Sequence, residues 1–185
     1  MTRILTLEQI SVLLREVELL PEIERAFTAY SAGRVAVPPV GELLFPEARG
    51  EAHIKYGAIR GGDYFLVKIA TGFFDNPSQG LPPFGGCMVL FSQKSGQLEA
   101  VLLEEGTLTN LRTAAAGAVA ARHLAPSKVE RIGIVGTGVQ ARLQADFLRQ
   151  VTPCRELVVW GRDKPRAEAA AQDIAALGYR VSVAG

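Results

Sequence analysis

The stretch that decides the fold is Arg131-Ile132-Gly133-Ile134-Val135, followed directly by Gly136-Thr137-Gly138-Val139-Gln140-Ala141. The first five residues predict a buried strand, and the glycine-rich residues predict a turn that opens a helix. Gly136 permits the tight turn, Gly138 lets the backbone approach a pyrophosphate, and Ala141 lets helix and strand pack closely. The helix N-terminus offers unpaired N–H groups to the anion. This context predicts a dinucleotide-binding site.

The residues that follow continue to alternate between strands and helices. A helix is predicted over 142–150, a strand over 156–160, a helix over 164–177 and a strand over 180–183. Strand, helix, strand, helix, strand is the order of a parallel nucleotide-binding sheet, which normally has further strands beside its first one. We therefore expect residues 126–185 to be the first half of a Rossmann-type domain, and the chain to be part of a longer protein.

The end of the second predicted strand carries the residues that choose between the two nicotinamide cofactors. An acidic residue about 20 positions past the glycines binds the ribose hydroxyls of NAD, but Gly161 stands there. Arg162 follows it as a natural partner for a 2′-phosphate, with Lys164 and Arg166 nearby. Alternatively, Arg162 is a solvated loop residue and Asp163 contacts the ribose. The sequence favours NADP(H) over NAD(H).

The N-terminal part of the chain has a different pattern. A capping-box sequence and apolar residues at helical spacing predict one or two helices over 6–33. Short alternating segments predict strands between about 40 and 104, and an alanine-rich helix is predicted over 109–124. The expected fold class is therefore α/β, with an α+β domain over 1–125 ahead of the incomplete Rossmann-type domain.

Two cations stand in unusual surroundings in this first domain. Lys68 interrupts an apolar strand, where alternation puts it on the face of Leu66 and Ala70. On a face that lines a cleft Lys68 could bind a carboxylate or move a proton, whereas on a solvent face it would be only an edge charge. Arg112, among the small residues of the alanine-rich helix, either forms an internal salt bridge or binds an anionic ligand. The residues alone leave these alternatives open.

Composition excludes several classes of protein. The chain is 48% hydrophobic and has a net charge of +1, which removes the electrostatic case for nucleic acid or an anionic membrane as partner. Cys87 and Cys154 have neither disulfide nor metal-site spacing, and His53 and His123, which lack a partner motif, are interpreted as structural. No apolar stretch approaches the roughly 18 residues of a membrane span, and no signal peptide is predicted. We expect a cytoplasmic protein without a metal site.

These motifs together resemble the ornithine cyclodeaminase/mu-crystallin family over essentially the whole chain. The resemblance rests on Lys68 with the Gly/Pro loop after it, on Arg112-Thr113-Ala114-Ala115, and on residues 133–141. It implies an NAD(P)H-dependent oxidoreductase that acts at C2 of a small amino or imino acid, with Lys68 and Arg112 around the substrate carboxylate. The cofactor-binding residues that it implies are Thr113, Gly136, Thr137, Gly138, Val139, Gln140 and Arg162.

The resemblance also implies how the protein is organised. Residues 1–125 would bind substrate and form a homodimer, and residues 126–185 would begin the cofactor domain. A catalytic aspartate is expected beyond Gly185, so we expect little activity from residues 1–185 alone. Two alternative functions remain: a cyclodeaminase-type lyase that releases ammonia with bound NAD, and a non-catalytic NADPH-dependent small-ligand binder of the mu-crystallin type.

One departure from the family pattern bears on the substrate. Members with the better-known activities carry a further carboxylate-binding arginine shortly after the proline that corresponds to Pro38 or Pro39. Residues 40–44 contain no arginine, so the pattern does not favour ornithine itself. Lys55 either supplies the missing cation or is a plain exposed strand lysine. The loop at 72–77 is similar to the ectoine-utilisation branch of the family.

Overall fold

The computed structural model describes residues 1–184, and the chain divides into two compact units. The first unit comprises Met1–Glu18 and Arg25–Leu108, and the second comprises Leu19–Glu24 and the described residues from Thr109 onward. Most of the alanine-rich helix thus groups with the second unit, whereas the predicted division assigns it to domain 1–125. The division into domains 1–125 and 126–185 stays a prediction. Gly185, the last residue of the second predicted domain, lies outside the described residues.

Two helices form over the N-terminal residues, as predicted. Their bounds are Leu7–Leu13 for α1, which continues into a 3-10 turn at Leu14–Glu16, and Leu19–Ser31 for α2. The capping box is formed at α1, where the backbone N–H of Gln9 donates to Thr6 Oγ1 at 3.4 Å and the N–H of Thr6 donates to Gln9 Oε1 at 3.0 Å. Pro21 lies in the first turn of α2, where a proline costs no helical hydrogen bond.

A seven-stranded sheet dominates the first unit. Its strands are β1 Arg3–Leu5, β2 Val35–Ala36, β3 Gly41–Phe45, β4 Gly50–Ile59, β5 Tyr64–Phe73, β6 Phe84–Ser92 and β7 Leu98–Leu102. The order is β1-β7-β6-β5-β4-β2, with β3 also paired to β4, and only the β1–β7 pair is parallel. The sequence did not predict β1, because three residues are too few to show a periodicity.

The second unit contains the predicted strand–helix alternation. Its elements are α3 Thr107–Leu124, β8 Ile132–Val135, α4 Val139–Leu148, β9 Glu156–Trp160, α5 Lys164–Ala175 and β10 Arg180–Val183. The first two residues of α3 belong to the first unit. The three strands are parallel in the order β10-β9-β8. The βαβαβ prediction is therefore confirmed. Helix α4 begins three residues earlier than predicted, because Gly138 already serves as its N-cap.

Small side chains let the helices of the second unit pack closely. In α3, Ala114, Ala115 and Ala118 are fully buried, and they pack with Leu20 and Phe147. A second core, between β9 and α5, is built from Leu157, Val159, Ala167, Ala170 and Ile174. No helix among residues 1–184 is long and apolar enough to cross a lipid bilayer.

Candidate functional site

The glycine turn lies between the end of β8 and the start of α4. Gly136 has a φ of +121°, which strongly favours glycine, and its N–H donates to the carbonyl oxygen of Trp160 at 2.8 Å. Gly138 is the N-cap of α4 and, lacking a side chain, forms no side-chain cap. The first N–H groups and the dipole of α4 are thus positioned to attract an anion.

The space over this turn is open. A Cβ added to Gly136 or Gly138 would have no other atom within 4 Å among the described residues. Three apolar side chains beside the turn are uncovered, since Val135 is 81% exposed, Val139 53% and Trp160 40%. An open glycine backbone, an uncapped helix N-terminus and uncovered apolar groups fit the pyrophosphate and the rings of a dinucleotide.

The end of β9 carries the residues that would contact the adenosine ribose. Asp163 is the N-cap of α5, and its Oδ1 accepts from the backbone N–H of Arg166 at 2.9 Å. A Cβ at Gly161 would lie 2.5 Å from Thr137 Cγ2, so an acidic side chain there would require Thr137 to shift. Arg162 is exposed and forms no salt bridge within residues 1–184. The Asp163 carboxylate thus caps α5, and the Arg162 guanidinium is available to a ligand.

Arg142 holds the glycine turn in place, and the sequence analysis missed this role. Its Nε donates to Asp173 Oδ2 at 2.7 Å, and its Nη1 donates to the carbonyl oxygen of Thr137 at 2.7 Å. Thr137 is therefore fixed through its backbone. A basic residue one helical turn after Gly138 is a signal that could have found Arg142, because that spacing lets its side chain reach back over the turn.

Gln140 joins α4 to α3. Its Nε2 donates to the carbonyl oxygen of Asn110 at 3.1 Å, and one turn further Gln144 Nε2 donates to the carbonyl oxygen of Thr113 at 3.4 Å. The hydroxyl of Thr113 donates to the carbonyl oxygen of Thr109 at 2.7 Å. The structure therefore brings the helices of Gln140 and Thr113 together. Asn110 and Gln144 were missed, because these partners meet only through helix packing.

The two predicted substrate cations belong to different units. Arg112 is exposed on α3 and forms no salt bridge with any described residue, so the internal ion pair that the sequence left open is not present there. Lys68 is half-buried in β5, an interior strand, where it lies opposite Lys55 of β4 and Met88 of β6. Lys68 is therefore not on an edge strand.

Carboxylates flank both histidines. His123 contacts Glu24 Oε1, and Arg122 Nη1 donates to Glu24 Oε2 at 2.9 Å. The hydrogen bond with His123 and, to a smaller extent, the charge of Arg122 hold the pKa of Glu24 below its usual value. The ring of His53 lies 3.4 Å from Glu51 Oε1. Within residues 1–184, no cluster of three or more His, Cys, Asp and Glu side chains could hold a metal ion.

Known proteins share both the sequence and the fold. An uncharacterized cyclodeaminase of Sinorhizobium fredii is 46% identical over 152 residues, which cover 82% of this chain and 46% of the relative. A solved archaeal alanine dehydrogenase dimer with bound NAD matches all of this chain, and 56% of its own, with a TM-score of 0.90 and 30% identity. The Delta(1)-pyrroline-2-carboxylate reductase of Thermococcus litoralis, solved with NADH and L-proline, matches 99% of this chain and 57% of its own, with a TM-score of 0.88 and 26% identity.

These matches agree with the resemblance seen in the motifs. The chain spans about half the length of the relatives that it matches. The α/β fold class, with a Rossmann-type second part, is confirmed by the solved structures. The model of the ornithine cyclodeaminase/mu-crystallin family matches residues 1–185, so the chain belongs to that family.

Proposed function

We propose that the protein is an NAD(P)H-dependent oxidoreductase that acts at C2 of a small amino or imino acid. The observation that carries this proposal is the glycine turn of the second unit, which is open over Gly138 and leads into a helix N-terminus without a side-chain cap. The dehydrogenase and the reductase that are similar in structure were solved with NAD and NADH, and the reductase also with L-proline. These names support redox chemistry on an amino or imino acid.

Each predicted site residue has a role in this proposal. When bound, the nicotinamide supplies or accepts the hydride at C2 of the substrate. Lys68 and Arg112 bind the substrate carboxylate and so orient C2, and Lys68 holds or moves the proton on the substrate nitrogen. Residues 136–140 and Thr113 bind the cofactor. Arg142 and Asn110 position this group through the contacts described above.

The proposal also covers the organisation of the whole protein. Residues 1–125 form the substrate-binding and dimerisation domain, and residues 126–185 begin the cofactor domain. A homodimer is proposed because the archaeal alanine dehydrogenase was solved as a dimer. Nothing in the balance of 20 basic and 19 acidic residues favours a nucleic acid as partner.

The proposed function predicts the behaviour of an Arg112→Gln variant. Arg112 is exposed and carries no ion pair within the described part of the chain, so its loss should not disturb folding. We expect kcat/KM to fall roughly ten- to a hundredfold, because a charge-assisted hydrogen bond to the carboxylate is lost, with NADPH affinity unchanged. The measurement, on the full-length protein, is NADPH oxidation with cyclic imino acids and NADP+ reduction with amino acids. A constant nicotinamide absorbance with every such compound would contradict the proposal.

A cyclodeaminase is the second candidate, and the Sinorhizobium fredii relative at 46% identity favours it. Such a lyase regenerates its NAD within each turnover, so ammonia would be released without a net change in nicotinamide absorbance. An ammonia assay beside the absorbance assay separates the two activities. Binding of an amino or imino acid that requires NADPH, without any turnover, would instead indicate the non-catalytic binder.

We further propose that the cofactor is NADP(H) rather than NAD(H). Arg162 is exposed beside Gly161, which stands where an acid would bind the ribose of NAD, and Asp163 is occupied in capping α5. Arg162→Ala should weaken NADPH binding about tenfold, because one charge-assisted contact to the 2′-phosphate is lost, and should leave NADH binding unchanged. Fluorescence titration with both cofactors measures this, with Arg60→Ala as the control. Equal affinities for NADPH and NADH in the unmodified protein would overturn this preference.

A further inference from the structure

Gln140 lies in the first turn of α4, directly beside the glycine turn, yet its side chain is engaged with α3. Its Nε2 donates to the backbone carbonyl oxygen of Asn110 at 3.1 Å and to Asn110 Oδ1 at 3.3 Å, and its Oε1 accepts from Gln144 Nε2 at 3.4 Å. A primary amide has two N–H groups to donate, and both contacts of this nitrogen are with Asn110. The amide of Gln140 is therefore committed to protein partners within the second unit.

The same two helices are joined again one turn further along. Gln144 Nε2 donates to the carbonyl oxygen of Thr113 at 3.4 Å, and a Cβ added to Gly117 would lie 2.1 Å from Gln144 Oε1. The missing side chain at Gly117 thus lets the Gln144 amide lie against α3. Residues 110, 113 and 117 share one face of α3, because residues three and four apart are neighbours on a helix. This face carries a row of amide contacts to α4.

These amide contacts are the directional part of the packing of α3. Three of its buried side chains are methyl groups, those of Ala114, Ala115 and Ala118. Methyl groups form shallow ridges, and each contact between them is weak and non-directional, so they resist a small turn of the helix only slightly. A hydrogen bond weakens steeply when its angle changes. The rotation of α3 about its own axis is therefore set mainly by Gln140 and Gln144.

The rotation of α3 decides where Arg112 points. A helix turns by about 100° per residue, so Arg112 lies about 200° around the axis from Asn110, on the far side of α3 from α4. Its guanidinium is exposed and forms no salt bridge with any described residue. Because this side chain is long, a small rotation of the helix displaces the guanidinium more than it displaces the backbone. The contacts of Gln140 thus act on Arg112 through the helix.

We propose that the side chain of Gln140 is a positioning residue for the substrate and not a ligand of the cofactor. It holds α3 in the rotation in which Arg112 meets the substrate carboxylate, while the backbone of Gln140 belongs to the turn that binds the pyrophosphate. This inference rests on the proposed function, which assigns the substrate carboxylate to Arg112. Loss of the Gln140 amide therefore weakens the binding of substrate and leaves that of NADPH unchanged.

The test measures substrate and cofactor affinity separately on the full-length protein. Gln140→Leu nearly keeps the size of the side chain and removes its hydrogen bonds. The assays are NADPH oxidation with Delta(1)-pyrroline-2-carboxylate and NADP+ reduction with L-proline or L-alanine. We expect KM to rise about tenfold with kcat nearly unchanged, because a displaced Arg112 weakens ground-state and transition-state binding equally. Fluorescence titration should give an unchanged NADPH affinity. Gln150→Leu, at an exposed glutamine just after α4, is the control and should change neither quantity.

A double-mutant cycle with Arg112→Gln tests whether Gln140 acts through Arg112. Once Arg112 is replaced, Gln140→Leu should add little to the rise in KM, because the group that it positions is already lost. If Gln140→Leu does not fold, Asn110→Ala, which removes only the Oδ1 acceptor, takes its place in the cycle and should raise KM about threefold.

The outcomes separate the two proposals. Effects on KM that add in full, an unchanged KM in Gln140→Leu, or a loss of NADPH affinity as large as the rise in KM would overturn this role of Gln140 and leave the proposed function in place. If Arg112→Gln itself leaves kcat/KM unchanged, the assignment of the carboxylate to Arg112 is wrong, and this inference is overturned with it.

Discussion

A Gly138→Val variant is expected to fold but to bind NADPH on the order of a hundredfold more weakly than the unmodified protein. Apart from the chain neighbours of Gly138, a Cβ there meets no atom within 4 Å in the described structure, so the added side chain points into open space. It would instead occupy the space over the first turn of α4, where the pyrophosphate must approach the backbone N–H groups. Fluorescence titration with NADPH measures the affinity, and activity should fall with it.

The loss of affinity must be separated from a loss of stability. Valine is a poorer N-cap than glycine, which costs about 1 kcal/mol at most, so the unfolding temperature should change little. Gly41→Val is the matched control, because Gly41 lies in the exposed strand β3 and its added Cβ would make only an ordinary contact, 3.5 Å from Ile54 Cβ. Unchanged NADPH affinity in Gly138→Val would mean that the cofactor does not bind at this turn.

Gly86→Ala is expected to destabilise the first unit by about 4 kcal/mol. Gly86 lies in β6 with a φ of +134°, a region that residues with side chains rarely adopt. Its Cβ would also lie only 2.1 Å from the carbonyl oxygen of Ile69 on the neighbouring strand β5, so the two strands would have to separate locally. Thermal unfolding followed by circular dichroism should show a transition roughly 10 °C lower.

The neighbouring glycine provides the control for this variant. Gly85 has no positive φ, and its added Cβ would approach only the Thr71 hydroxyl, at 3.1 Å. A threonine side chain can shift by a few tenths of an ångström, so Gly85→Ala should cost less than about 1 kcal/mol. If both variants unfold at the same temperature as the unmodified protein, the strained backbone at Gly86 is not a source of instability.

Most helices and strands could be predicted because their signals are local. The capping box predicted the start of α1, and the apolar runs predicted β5, β8 and β9. The short strand β1 was not predicted, since it exists only through its parallel pairing with β7, which lies far along the chain. The predicted loop at Gly72 begins only after Phe73, because pairing of Gly72 with Phe84 extends the hairpin.

In the candidate site, too, the features with local signals could be predicted and those that depend on distant residues could not. The sequence motif predicted that Gly136 and Gly138 form a turn between a strand and a helix, and the structure confirms that placement. The roles of Arg142 and Asn110 were not predicted. The side chain of Arg142, which holds Thr137, is itself anchored by Asp173, and Asn110 accepts from Gln140, in both cases across about 30 residues. Such partners are brought together only when the helices pack.

The sequence by itself determined the strand–helix order of the second unit, the glycine turn and the family, because each depends on residues that are close in the chain and on their period. Only the tertiary structure decided which side chains share a face or a space. Lys55 lies opposite Lys68 because of the register between β4 and β5, and a shift of one residue would place them on opposite faces. Gly161 faces Thr137 for the same kind of reason, since parallel strands bring their carboxyl ends together.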